Sequence, residues 1–522
     1  MLLKQAPLSS HLFRLATFAA GLLLGTGCAR QHYFQTDARP DTSRVLPATA
    51  DSVRGVTAGR QYARHGRLYG ALVGQHHRRT WAAPVDVPVL RLAEAQPGGL
   101  RPGKVGGGFN STSLSLEAAD GHNYVLRTVD KDPIRATPQL LRGTFLVNVL
   151  RDNISSTNPY AALAVPPLAA AVSVPHTSPR LFYVRAEDPS FQGDSLRLFR
   201  GQLAYLEEKT AVQAGMSGQS TVNSTETFKA VFASPIARID QMALLRARLL
   251  DAWLGDWDRH PGQWNWAVKH IEAPHGTTYS PLPKDRDMVF YRLDDGLLGW
   301  LIGHVAIRHW VSFGARYKNP VALLSNGEYL DRRALNGLSR AQFQAAAAAM
   351  QKQLPDSLLN RAVHRLPPAA FALEGPGTIA ALQARREALP AVADALYYEL
   401  ARLPMVGGTA QAETFVIKRY ADSTQVAVYP GVSGTGPPLF SRTYLSSETK
   451  EISLQGLGGD DTFIISSPAG QAAKGGIRLR MYGGPGNDTL VNDIPSSKPG
   501  KRNRFIQGSA PEKQAYDKLP EE

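Results

Sequence analysis

The sequence predicts an α+β protein: two regions of mixed helix and strand, then a small all-β domain with Gly-Asp-rich turns. Three observations carry that expectation. Alternating strand text follows a glycine-rich stretch at residue 106. A helix with apolar residues at Met242, Leu245, Leu249 and Ala252 feeds a Trp-rich loop. From Thr414 onward, Thr-, Val- and Gly-rich alternation replaces any helical period.

The first residues set the compartment. Lys4 and Arg14 precede the apolar run Leu15–Leu24, which ends in Gly25-Thr26-Gly27-Cys28. That run is too short for a permanent span and has the shape of an export signal. Residues 1–27 resemble a bacterial lipoprotein signal peptide, cleaved before Cys28 with lipid attached to its thiol. Gly25 stands where such signals usually carry leucine. Cys28 is the only cysteine, which excludes an internal disulfide, a thiol nucleophile in the body of the chain and a Cys-based metal site. The formal net charge is +14, and only two of those charges lie in the leader, so the remainder attracts anionic headgroups or other polyanions. No Lys/Arg block with interleaved aromatics supports nucleic-acid binding. No later apolar stretch reaches spanning length. The expected location is the cell envelope, on the outer membrane through lipidated Cys28; oligomeric state is not legible.

Residues 28–95 are Arg-rich and weakly periodic, and an extended N-terminal segment is expected there. In 96–210, Gly106-Gly107-Gly108 precede an alternating strand, Asp120-Gly121 turns the chain, and YVLRTV forms a second strand. Helical text follows at about 137–173, then strands at 181–188 and 199–209. In 211–405 the long helix delivers GDWDRHPGQWNW (255–266), and WNWAVKH and TTYSPLP alternate around His275-Gly276 as a hairpin. Helices recur at about 339–353 and 378–403, the latter behind Gly375-Pro376-Gly377. A boundary near Val406-Gly407-Gly408 opens the β domain, 406–522.

Several patterns are set aside. Gly98-x4-Gly103-Lys104 echoes a phosphate-binding loop, but Val105 replaces the Ser or Thr that would hold Mg²⁺. No G-x-S-x-G or H-E-x-x-H occurs, and His304 and His309 read as structural. What remains suits phosphoryl transfer, which needs backbone donors over phosphates, a cation on an early strand, a carboxylate near the incoming hydroxyl and oxygen ligands for a divalent metal. Gly106, Gly107 and Gly108 supply the first and Arg127 the second. Asp258 supplies the third. Gln263, whose carbonyl oxygen is a hard ligand, joins Asp285 and Asp287 for the fourth. Trp257, Trp264 and Trp266 read as core aromatics bracing the loop, His260 as an orienting group and Arg259 as the partner of a neighbouring acid. Asp294-Asp295-Gly296 reads as a turn.

D-R-H-x-x-Q after a helix, followed by a hairpin ending in an Asp-bearing segment, resembles the atypical protein-kinase-like families. These include the phosphatidylinositol kinases, the secretory-pathway casein-kinase-type enzymes and the spore-coat kinases. The resemblance implies a bilobal domain, with an N-lobe over 96–210 and a C-lobe over 211–405. It implies ATP with Mg²⁺ or Mn²⁺ as cofactors and Asp258 as catalytic aspartate. Gln263 and Asp285 (or Asp287) would hold metal, Arg127 would stand where a lysine is usual, and LAYLEEK would lead to the adenine hinge. Longer blocks resemble a Bacteroidota-type outer-membrane family: GGGFNSTSLSL (106–116), YVLRTVDKDP (124–133), LRGTF (141–145), NPYAAL (158–163), GDWDRHPGQW (255–264) and PKDRD (283–287). Members often carry a surface-antigen barrel or a calcineurin-like phosphatase domain; neither is expected in this sequence, although an outer-membrane barrel protein is an expected class of partner. Arginine for lysine, glutamine for asparagine and the lack of a glutamate on the helix of about 138–153 depart from the kinase pattern. They keep open the alternative of a catalytically inactive, pseudokinase-like module that binds a barrel protein, lipid or polysaccharide.

The C-terminal region adds a weaker motif. Gly483–Leu490 fits the calcium-binding nonapeptide, and Gly456–Phe463 fits it less one glycine, which makes Asp461 and Asp488 candidate calcium ligands. Without a repeat between the two copies, plain β-turns are the competing expectation.

Overall fold

A computed structural model describes residues 28–40, 52–107, 112–135, 137–209, 220–271, 276–301, 303, 312–467, 476–494 and 503–520. The leader, Gly108, His304 and His309 lie outside the described residues. The chain is α+β and divides into two compact units: Met1–Gly66 with His77–Pro159 and Arg180–Glu207, and Arg67–His76 with Tyr160–Pro179 and Glu208–Glu522.

The first unit opens with a short antiparallel pair, β1 (Val53–Val56) and β2 (Val85–Pro88). Its main sheet holds β3 (Leu100–Gly106), β4 (Ser113–Ala118), β5 (Asn123–Thr128), β6 (Arg180–Val184) and β7 (Gln202–Glu208), in the order β3-β4-β5-β7-β6. Leu114, Leu116, Leu126, Ala204 and Leu206 turn inward to a core shared with Leu90, Phe191 and Phe199.

Residues 28–95 are a correction. They were expected to be extended, yet Trp81 is fully buried, stacks edge-on against Tyr62 and donates to the Thr157 carbonyl at 2.8 Å. Arg78 is buried in a two-point ion pair with Asp152, both bonds at 2.6 Å. The polar text hid a fold whose charges are neutralised inside it. The helical stretch expected at 137–173 is also broken. The first unit keeps Phe145–Asp152 and the second keeps Val165–Ala171, because Pro159 disfavours helix at the residue before it.

In the second unit, β8 (Thr221–Asn223), β9 (Ala237–Ile239), β10 (Trp264–Ile271) and β11 (Gly276–Pro283) form a sheet in the order β8-β10-β11-β9. The expected hairpin is β10 with β11, antiparallel from Trp264↔Pro283 to Ile271↔Gly276. Helices Gln241–Leu254, Arg340–Gln353, Pro368–Glu387 and Leu389–Arg402 make the helical body. The last two differ from expectation. The first of them runs through Pro376, keeping Ala370, Thr378, Ala381 and Leu382 buried, and the break falls at Ala388, ahead of Pro390.

The same unit contains the all-β region. One sheet stacks β12 (Met405–Gly407), β16 (Glu451–Gln455), β18 (Arg478–Tyr482) and β20 (Asn503–Ile506) in parallel. The other holds β13 (Glu413–Arg419), β14 (Ser423–Pro430), β15 (Phe440–Leu445), β17 (Thr462–Ser466) and β19 (Thr489–Asn492), with β13, β17 and β19 parallel. Phe415, Ile417, Ile452, Leu454, Phe463, Leu479 and Met481 fill the space between them. The two glycine-rich motifs are therefore turns of adjacent coils. Their 27-residue offset is one full circuit of the chain, which explains why no shorter repeat appears between them.

The sheets are packed on the helical body. Asn336 donates to the Met405 carbonyl at 2.8 Å, Arg333 to Tyr516 and Ala515, and Ala410 to Phe232. The boundary at 406 is a change of secondary structure within one unit.

Candidate active site

In the second unit, the helix Gln241–Leu254 aims the loop. Asp240 caps its start by accepting from the Ala243 N–H at 2.9 Å. Gly255 ends it at φ 72°, where a Cβ would press on Phe313 at 3.2 Å. The chain then runs through Asp256-Trp257-Asp258-Arg259-His260 into one turn of 3₁₀ helix, Pro261–Gln263, and on into β10.

Arg259 holds the loop to the next hairpin arm. Its guanidinium, fully buried, donates to the carbonyls of Lys284 (2.7 Å) and Asp285 (3.0 Å), and lies 3.3 Å from Asp251. It also stacks on Trp264 at 4.6 Å. Lys284 N–H donates to Gln263 carbonyl at 2.9 Å. The loop carrying Asp258 and Gln263 and the segment carrying Asp285 and Asp287 are thereby tied together. Asp285 sits at φ 51°, a strained conformation for a non-glycine residue that surrounding contacts must enforce.

Under this tie lies an ionic network that sequence reading missed. Arg286, between the two aspartates of D-R-D, pairs with Asp251 and reaches Asp256 at 2.9 Å. Arg248 bridges Asp251 (3.0 Å) and Asp331 (2.8 Å). Burial alone would raise Asp251, but Arg286, Arg259 and Arg248 hold it below the usual carboxylate range. Burial pushes Asp256 up to about 6, against the opposing pull of Arg259 and Arg286. The one available signal was the density of Arg and Asp within an otherwise apolar helix text, RARLLDAWLGDWDR.

Asp258 is half-buried, and its Oδ1 accepts from Asn326 Nδ2 at 3.1 Å. Asn326 was not anticipated, since it lies 68 residues downstream. His260 Nδ1 accepts from the Gly262 N–H, so its ring shapes the turn. Trp264 and Trp266 are fully buried and brace the loop, Trp266 donating to Ser224 Oγ at 3.0 Å. Asp294-Asp295-Gly296 is a turn, with Asp295 accepting from His76.

In the first unit, Gly106 pairs with Ser113, and Ser113 with Arg127, so the three lie in a row across β3, β4 and β5. Gly106 is the last residue of β3 and Gly107 follows it, rather than the two preceding the first strand, and Gly107 has φ 136°, which disfavours any side chain. Arg127 Nε lies 2.9 Å from Glu207 on β7. Arg127 is therefore paired from within LAYLEEK, a contact invisible without the strand order.

By donor chemistry Gln263, Asp285 and Asp287 would offer oxygen ligands to a divalent cation, and each is partly exposed, which would suit a cation that retains waters. Among the described residues, no three His, Cys, Asp or Glu side chains form a metal-binding group.

Asp461 and Asp488, the candidate calcium ligands, tie neighbouring coils of the β region together. Asp461 Oδ1 accepts from Glu413 N–H at 2.8 Å, and Asp488 Oδ1 from Asp461 N–H at 3.0 Å, each carboxylate holding the equivalent residue of the preceding coil. Asp461 Oδ2 is buried without a hydrogen-bond partner. Burial pushes this carboxyl up to about 8, helped by the charges of Glu413, Asp488 and Asp460 and opposed by the Glu413 N–H bond.

No family model and no curated protein matches the chain. Among solved structures it is similar to the Helicobacter pylori proinflammatory kinase CtkA, at 10% identity and TM-score 0.32, over 60% of this chain and 99% of that one. It is also similar to the HipA–HipB toxin–antitoxin system of Shewanella oneidensis, at 12% identity and TM-score 0.29, over 60% and 78%. A third is amicoumacin kinase with AMP-PNP and Ca²⁺, at 11% identity and TM-score 0.15, over 57% and 89%. At such low similarity, the assignment of function rests on the chain's own residues.

Proposed function

We propose that this chain is an exported, lipid-anchored protein of the cell envelope whose kinase-like domain transfers a phosphoryl group from ATP with Mg²⁺ or Mn²⁺. The observation that carries the proposal is Arg259, which fixes the loop of Asp258 and Gln263 to the strained Asp285 segment. Such over-determined strain belongs to sites where positioning matters. Asp258 positions the incoming hydroxyl. Gln263 and Asp285, with Asp287 beside them, would hold the divalent cation, which when bound neutralises phosphate charge. In the first unit, Arg127 and the glycines Gly106, Gly107 and Gly108 would be the phosphate-binding residues that the resemblance implies. Cys28, exposed in the described residues, would bear the lipid, and an outer-membrane barrel protein is the expected class of partner.

A second proposal is a catalytically inactive envelope module that binds a barrel protein, lipid or polysaccharide. It is favoured by the same Arg127, which is bulkier than lysine and held by Glu207. Thermal unfolding with ATP and Mg²⁺ or Mn²⁺, together with labelled phosphate transfer, separates the two. Transfer lost in Asp258→Asn supports the enzyme. A thermal shift without transfer supports the inactive module, and no shift with either metal removes nucleotide from the account.

A further inference from the structure

Two short helices of the second unit reverse the usual burial pattern. Arg67–Val73 (RLYGALV) and Leu297–Leu301 (LLGWL) each bury a single residue, and in both it is a glycine, Gly70 and Gly299. A surface helix ordinarily turns its apolar stripe to the core and its polar side to water. Here Leu68 and Leu72, one turn apart, face outward from the first helix. Leu297, Leu298, Trp300 and Leu301 do so from the second, and all six are between 39% and 74% exposed.

The helices pack side by side. A Cβ on Gly296 would stand 2.4 Å from the Gly74 nitrogen and 2.5 Å from the Val73 carbonyl carbon, so glycine at 296 lets the two backbones meet. His76 clamps the turn ahead of the second helix. Its N–H donates to Asp295 Oδ2 at 2.6 Å, and its Nδ1 lies 2.6 Å from Oδ1. The six apolar side chains are thereby presented by one fixed pair of helices. Single leucines scattered over a surface need no explanation, whereas a group of them marks a contact with protein or membrane.

Size and chemistry decide between those two. Even with ~250 Å² assigned to each side chain, as for a large aromatic, their exposed fractions leave less than the ~800 Å² per partner that a stable protein interface buries. A bilayer needs no such area; it accepts a shallow apolar face with tryptophan at headgroup depth and basic residues on the polar side. Trp300 supplies the first, and Arg67, exposed at the head of its helix, the second. The acids before the second helix are both engaged, Asp294 by Lys318 and Asp295 by His76.

We propose that the helix pair Arg67–Val73 and Leu297–Leu301 is a membrane-contacting surface that sets its leucines and Trp300 into the interface of a phospholipid bilayer. The proposal depends neither on lipid at Cys28 nor on phosphoryl transfer.

The test uses the full chain carrying Cys28→Ser, so that no thiol-linked lipid contributes and one new cysteine can be labelled. An environment-sensitive fluorophore is placed at Leu298→Cys or, as the control, at Val432→Cys, exposed in the turn that follows β14. With vesicles of phosphatidylethanolamine and phosphatidylglycerol, emission at Leu298→Cys is expected to rise and to be quenched by spin-labelled lipid. Neither change is expected at Val432→Cys. Adding Leu68→Ser, Leu72→Ser and Leu301→Ser should reduce the quenching at Leu298→Cys to the control level. The quenching should persist at about 0.5 M salt, because apolar insertion is not screened. Equal responses at the two positions, or none at Leu298→Cys, would overturn the proposal. So would loss of the response in high salt, which assigns the attraction to charge alone. Emission that rises with protein concentration in the absence of vesicles would overturn it too, by assigning the face to a second copy of the chain. Should the serine variant fail to fold, the contrast between the two labelled positions still decides.

Discussion

Arg259 shows how one side chain can organise a site. Its charge is offset by Asp251, and its fork is spent on carbonyls of the segment that carries Asp285. Truncation leaves buried carboxylates short of a partner, so Arg259→Ala is expected to cost about 3–5 kcal/mol of stability, measured by urea unfolding. A cost below about 1 kcal/mol would mean that the tie is incidental. Asp461 makes a different prediction. An acid whose folded pKa is raised keeps its proton in the folded chain after the unfolded chain has lost it. The stability it confers is complete below about pH 4 and is lost as pH rises to about 8. Thermal unfolding should therefore show a midpoint that declines across that window, and Asp461→Asn should flatten the decline while still accepting from Glu413 N–H. Calcium raising the wild-type midpoint, with no effect on the variant, would assign Asp461 to a metal site.

At the scale of elements, strong local signals were legible. Asp240 and Gly255 bound the loop-bearing helix, and the alternation of WNWAVKH and TTYSPLP gave the hairpin in its observed register. Gly255→Ala should destabilise by about 1 kcal/mol or somewhat more, because it forces an alanine into left-handed backbone against Phe313. Denaturant unfolding reads this directly, and an unchanged midpoint would show that the cap does not fix the helix end. Strand β3 was not legible. Pro102 and Gly103 break its text, and as an exposed edge strand with an irregular register at Pro102/Val105 it tolerates both. Missing it misplaced Gly106 and Gly107, which stand at the end of β3 rather than ahead of the first strand. Glu207 and Asn326 were missed for a related reason: each acts on a residue far away in sequence, and no local pattern announces such a pair.

At the scale of the molecule, composition and order gave the α+β class, the candidate loop and the β character of the last hundred residues. Composition misled where polar text proved to be folded, as at Arg78 and Asp152, and where two copies of a motif proved to be neighbouring coils. Among the described residues no helix is long and apolar enough to cross a membrane; lipid on Cys28 is the proposed means of envelope attachment. The kinase assignment depends on Asp258, Gln263 and Asp285 working together on nucleotide and metal. The measurement that tests it most directly is the thermal midpoint of wild type and Asp285→Asn with ATP, in the presence and absence of Mg²⁺ or Mn²⁺. A metal-dependent rise in wild type that disappears in Asp285→Asn, with both folded alike in the absence of ligand, is the predicted result. A rise of equal size in both proteins, or none in either, would contradict it.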